Sequence, residues 1–101
     1  MIVYNISMKV SSEIQDEWLK WQKEEHIPEI MASGYFTEYK FFQLLEHDDP
    51  GSSTYIIQYY APSFSEYEKY LKEIAPHLRK KTLSKWSNQF IAFRTVMKIV
   101  N

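Results

Sequence analysis

The chain has 101 residues, a formal charge of −1, 45% apolar and 25% charged side chains, and no cysteine. That length carries one hydrophobic core rather than two, and the missing thiols exclude disulfides, Cys-ligated metals and thiol catalysis. The near-neutral charge gives no global pull toward nucleic acid or anionic lipid, whereas eight Tyr, six Phe and three Trp are a surplus of the side chains that fill cores, interfaces and pockets.

Residues 2–10 alternate, with Ile2, Tyr4, Ile6, Met8 and Val10 on one face and Val3, Asn5, Ser7 and Lys9 on the other. A period of two is a strand. Ser11 and Ser12 then offer a helix cap, with Glu13, Asp16 and Glu17 where a helix dipole favours acids. Ile14, Trp18 and Trp21 form an apolar stripe at helical spacing. Pro28 disfavours helical geometry at Ile27, which predicts a kink or a short second helix over Glu29–Ala32, and Gly34 is a suitable stop.

Residues 35–45 and 54–60, rich in aromatic and β-branched side chains, read as two strands. The turn-forming run from His47-Asp48-Asp49 to Ser53 joins them into a hairpin. Ser63 and Glu66 have capping-box spacing, and Phe64, Tyr67, Leu71, Ile74 and Leu78 step along one helical face. Pro76 divides that stretch in two, the second piece running to about Trp86. Residues 89–100 close the chain as a strand, Ile91, Phe93 and Met97 facing away from Ala92, Arg94 and Val96.

Strand, helix, strand, strand, helix, strand over residues 1–101 is the order of a single α+β, ferredoxin-like βαββαβ domain. It predicts a four-stranded antiparallel sheet with both helices on one face. Several strands are apolar on both sides, however: Phe42, Ile56, Tyr60, Phe93 and Met97 oppose a second apolar set. Helices on one side leave the other uncovered, a larger patch than monomers usually expose, so two sheets are expected to pack face to face in a homodimer. No apolar run approaches the roughly 20 residues that cross a bilayer, and no signal-peptide pattern opens the chain. A cytoplasmic protein bound to neither membrane nor nucleic acid is expected.

The run Trp18-Leu19-Lys20-Trp21-Gln22-Lys23-Glu24-Glu25-His26-Ile27-Pro28-Glu29-Ile30, with Gly34-Tyr35-Phe36-Thr37, Ala75-Pro76-His77-Leu78-Arg79 and Phe93-Arg94-Thr95, resembles a family of short bacterial proteins of unknown function. More distantly, the Trp-rich helix followed by His26-x-Pro28 is similar to the dimeric α/β-barrel superfamily, which includes EthD-like proteins, cofactor-free monooxygenases, muconolactone isomerases and haem-degrading enzymes. The resemblance implies a dimeric barrel and no particular activity.

His26 can move a proton near neutral pH. Glu25 falls near the Ile14–Trp18–Trp21 stripe, where an inward carboxyl would have a raised pKa. The plainer reading has Glu25 in solvent and His26 bonded to a carbonyl at the kink. Arg94 is placed to hold a carboxylate, with Asn5, Ser7 and Gln58 lining the same space, or else to pair with Glu38. Trp18 and Trp21 are placed to stack on a planar ligand or to pack on the sheet. Arg79, Lys80, Lys81 and Lys85 form a basic patch, expected to face the acids Glu13, Asp16 and Glu17. His26, His47 and His77 lack metal-ligand spacing, so neither metal nor cofactor is expected, haem on His26 being a subsidiary version.

Two functions compete. One is a non-catalytic, self-associating module that binds a small apolar or aromatic ligand. The other is a cofactor-free monooxygenase or isomerase acting on an aromatic or lactone-like substrate. A cavity of roughly 300 Å3 or more reaching His26 would favour the enzyme.

Overall fold

A computed structural model describes residues 1–46 and 49–101; His47 and Asp48, the first two residues of the expected turn, lie outside the described residues. The order is β1 (Ile2–Ser11), α1 (Gln15–Trp21), a π-helical turn (Gln22–His26), α2 (Ile27–Ala32), β2 (Glu38–Gln43), β3 (Ser52–Ala61), α3 (Phe64–Glu73), α4 (Ala75–Trp86) and β4 (Phe90–Lys98). The strands form one antiparallel sheet in the order β2-β3-β1-β4. This is the expected α+β, ferredoxin-like arrangement. No helix among the described residues is long and apolar enough to cross a membrane.

Strand register assigns the two faces. Tyr4, Ile6, Met8 and Val10 of β1 share the inner face with Tyr55, Ile57 and Tyr59 of β3 and with Phe90, Ala92, Arg94 and Val96 of β4. The helices cover this side: Trp18, Trp21, Ile27, Ile30, Tyr67, Tyr70, Leu78 and Trp86 join those strand residues in one core. Tyr4 is ringed by Phe36, Tyr59, Tyr67 and Tyr70, at centroid distances of 5.3–6.2 Å.

The outer face is neither wholly greasy nor wholly polar. Phe42 and Ile56 lie at one flank and Ile91, Phe93 and Met97 at the other, while Lys40, Gln58, Asn5 and Thr95 run in a row across the middle. Gln58 Nε2 donates to Asn5 Oδ1 at 3.2 Å, and Tyr60 Oη donates to Gln58 Oε1 at 2.7 Å. Phe93 is 67% exposed, and Phe42, Ile91 and Met97 are exposed as well.

The segment before β2 departs from expectation. Strand pairing starts only at Glu38, not at residue 35. Gly34, at φ +81°, turns the chain, and Phe36 drops into the core against Tyr70 and Tyr59 before the ladder begins. An apolar run cannot by itself distinguish a strand from a connection that dives under the sheet.

The helix around Pro28 departs too. Ile27 stays helical (φ −59°, ψ −46°), and Pro28 sits in the first turn of α2, where its missing N–H is harmless. The disturbance falls one turn earlier. Ile27 N–H bonds the carbonyl of Gln22, five residues back, so the turn containing Glu24, whose carbonyl a proline ring would otherwise crowd, is widened. Elsewhere Ser63 Oγ accepts from Glu66 N–H at 3.3 Å and starts α3, and the break at Ile74 precedes Pro76.

Candidate functional site

The π turn decides which side chains face the sheet. One extra residue per turn advances the helix phase, so Trp18 and Trp21 are followed inward by Gln22 and then by His26, Ile27 and Ile30. Glu25, which regular periodicity would put on the stripe, is turned to solvent. The inward carboxyl expected from the helical wheel is therefore absent.

Between the helices and the inner sheet face lies a cavity of about 40 Å3. Tyr4, Met8 and Tyr59 form part of its floor, Gln22 and His26 come from the π turn, Tyr70 from α3, and Arg79 and Thr82 from α4; Phe90, Ala92 and Arg94 close it along β4. Gln22 is only 1% exposed; its Nε2 reaches Met8 Sδ at 3.7 Å and its Oε1 has no hydrogen-bond partner. Tyr59 is 0% exposed and its hydroxyl also lacks a partner.

His26 stacks on Trp21, ring centroids 4.6 Å apart and planes 19° from parallel. Burial is the main cause that lowers its pKa to about 4; Glu29 pulls the other way, and Arg94 and Lys81 add to the lowering. At neutral pH it is an uncharged imidazole with one nitrogen free to accept. Burial raises the phenol pKa of Tyr59 and Tyr70, which keeps both hydroxyls protonated.

Arg79 Nη2 donates to Tyr4 Oη at 3.2 Å. Arg94 is close enough to His26, Tyr67 and Tyr70 to influence their titration, and Arg79 acts on the same two tyrosines. Neither guanidinium belongs to an ion pair among the described residues; Glu29 pairs with Lys81 at 2.8 Å instead. The basic run on α4 is thus split. Lys81 faces α2 rather than the acidic start of α1, Lys85 lies over the Trp86 ring at 5.4 Å, and Arg79 turns toward the sheet.

The expected site residues separate. His26 and Arg94 meet at the cavity. Trp21 backs His26 and crosses Trp86 edge-on at 5.7 Å. Trp18 is 0% exposed, packs on Tyr55, Phe41 and Phe90, and does not itself line the cavity. Asn5, Ser7 and Gln58 lie on the opposite face of the sheet from Arg94, and Glu38 lies on that face too, three strands across, so the expected Arg94–Glu38 pairing does not form. Gln22, Tyr59 and Arg79 were not anticipated as site residues. Tyr59 was readable from its parity with Tyr55 and Ile57, whereas Gln22 depends on a π turn that no residue pattern announces. No three His, Asp or Glu side chains converge among the described residues, and a haem is far too large for this cavity.

The neighbours agree with the geometry at the level of the fold. An EthD family protein from Bacillus halodurans superposes with a TM-score of 0.69 at 12% identity, over 99% of this chain and all of that one. SnoaB, a cofactor-independent oxygenase from Streptomyces nogalater, gives 0.63 at 10% identity, over 99% and 94%. A de novo designed protein with a ferredoxin fold gives 0.53 at 14% identity, over 100% and 88%. These likenesses show an α+β, ferredoxin-like fold. A search of curated proteins finds no match. A family model described as a domain of unknown function, DUF4286, matches residues 1–100, and the chain belongs to that family.

Proposed function

We propose that this member of the DUF4286 family is a non-catalytic homodimer that holds a small ligand in the cavity beneath its sheet and presses its outer sheet faces together. The observation that carries the ligand site is the pair of unpartnered buried atoms, Gln22 Oε1 and Tyr59 Oη, on residues lining one cavity. Each such atom costs about 1–3 kcal/mol when left unsatisfied, against a total stability of about 5–15 kcal/mol for a domain. A ligand that bonds them removes that cost.

Tyr59→Phe tests this directly, because it deletes the hydroxyl and keeps the ring. The ligand-free protein is expected to gain about 1–2 kcal/mol, read as a rise in Tm of roughly 4–8 °C per kcal/mol for a domain of this size. A lowered Tm would mean that the hydroxyl has a partner inside the fold, and the reading fails.

Self-association rests on Phe42, Ile91, Phe93 and Met97, exposed together on the outer face. A two-fold dimer lets one copy's apolar flanks cover the other's. Light scattering at micromolar concentration should give twice the chain mass for the wild type and the single mass for Phe93→Lys. A monomeric wild type would remove this part of the proposal.

A second reading, a cofactor-free monooxygenase or isomerase for an aromatic or lactone-like substrate, has one observation in its favour: a neutral His26 close to Arg94. Size weighs against it. At about 40 Å3 the cavity falls well short of the roughly 150 Å3 that admits benzene, so an aromatic substrate requires the site to open. The oxygenase activity belongs to SnoaB, and at 10% identity only the fold carries over.

A further inference from the structure

We infer that the ligand is a short carboxylate bearing a hydroxyl, its carboxylate held at the cavity mouth by Arg79 and Arg94 and its hydroxyl turned inward to Gln22 and Tyr59. The inference rests on the cavity being a binding site and adds the chemical class of its occupant.

The charge balance comes first. The chain has thirteen acidic residues, yet Arg79 and Arg94 form no ion pair among the described residues. Both are exposed, while other atoms of the same two residues line the cavity. A guanidinium cannot shed its proton as a buried lysine can, so two of them beside one opening leave a fixed positive charge that favours an anion there. A carboxylate accepts hydrogen bonds only, and its two oxygens match the fork of donors on each guanidinium.

The inner end asks for the opposite chemistry. Gln22 Oε1 is an acceptor without a donor, and His26, neutral at pH 7, offers a ring nitrogen as a second acceptor. A bare carboxylate has nothing to donate to them. A ligand hydroxyl has one proton to donate and lone pairs to accept the Tyr59 hydroxyl proton, so one OH group answers both orphaned atoms. Size sets the length. A cavity of about 40 Å3 takes no more than about two heavy atoms when about 150 Å3 takes the six of benzene. The carboxylate therefore stays at the mouth, and the hydroxyl follows one carbon behind it.

Glycolate is the probe, with glycolamide as its uncharged counterpart and acetate as the acid without the hydroxyl, all at matched ionic strength. Amide chemical-shift titration of the full chain at pH 7 should show saturable shifts around Gln22, Tyr59 and Thr82 with glycolate. Acetate should bind at least fivefold more weakly and glycolamide at least tenfold more weakly. Arg94→Gln and Arg79→Gln should each weaken glycolate at least tenfold, and Lys85→Gln, outside the cavity, should leave it unchanged. Equal binding of glycolamide and glycolate overturns the carboxylate assignment. An equal loss in Lys85→Gln reduces the effect to surface charge and overturns it too. Should no probe bind while Tyr59→Phe still raises the Tm, the ligand class is wrong and the cavity reading survives; should Tyr59→Phe lower the Tm, both fall.

Discussion

Replacing Trp18 with alanine is expected to cost about 3–5 kcal/mol, enough to lower the Tm by some 12 °C or more and to leave the domain close to unfolding. Trp18 is among the fully buried side chains of the protein. It meets Tyr55 at 5.2 Å and the edges of Phe90 and Phe41 at 5.8 and 6.2 Å, so truncation opens a void walled by three rings on three strands. Those neighbours are held by the sheet ladders and cannot collapse to fill it. Its indole N–H has no partner, so Trp18→Phe forfeits no hydrogen bond and should retain most of the stability. Urea unfolding followed by circular dichroism separates this role from a ligand-wall role. A Trp18→Ala protein as stable as the wild type, with binding lost, would put Trp18 in a pocket after all.

How far the residues announced this outcome depends on whether their spacing is regular. Alternation in β1 and β4 correctly grouped Tyr4 with Met8 and Ala92 with Arg94, because a strand's period leaves only two choices. It does not say which group shares a face with which across strands, and the expected grouping of Arg94 with Asn5 and Ser7 fails. Capping-box spacing placed the start of α3 at Ser63. Trp18 and Trp21 showed that a helix buries its aromatic stripe, but stripe membership does not say whether a ring meets a cavity or other rings. Glu25 marks where the method ended. A helical wheel assumes about 3.6 residues per turn throughout, and a single wide turn at Gln22–His26 moved Glu25 out and Gln22 in. The motive for that turn, Pro28, was visible; its location was not. A proline can be relieved by a kink, a broken helix or a widened turn, and tertiary packing chooses among them. Arg79 was hidden for a related reason: in a run of basic residues, only the helix's roll against the sheet separates the one that turns inward.

The same wide turn sets the last expectation, which concerns acid. His26 is held against Trp21 with Glu29 on α2, Arg94 on β4 and Lys81 on α4 as its charged surroundings. Unfolded, the imidazole binds a proton near pH 6.5; folded, burial delays that until about pH 4. Between these values the unfolded chain holds more protons than the folded one, so stability rises with pH there. It is fully present above pH 6.5 and is lost as pH falls toward 4. At about 1.4 kcal/mol per pH unit the loss totals roughly 3 kcal/mol. His26→Phe keeps the ring stacked on Trp21 and removes the titration, so its unfolding free energy should fall by about that much less than the wild type's over the same range. Comparing the two proteins cancels the titration of groups remote from His26. Parallel curves for wild type and variant would mean that His26 titrates as it does in water, open to solvent rather than pressed beneath the helices. If a carboxylate is bound beside Arg94, its charge offsets the guanidinium's effect on the imidazole, and the His26 pKa should move upward in the presence of glycolate. A proton NMR titration of the imidazole with and without glycolate reads that movement, and an unmoved titration curve at saturating ligand would place the anion away from Arg94.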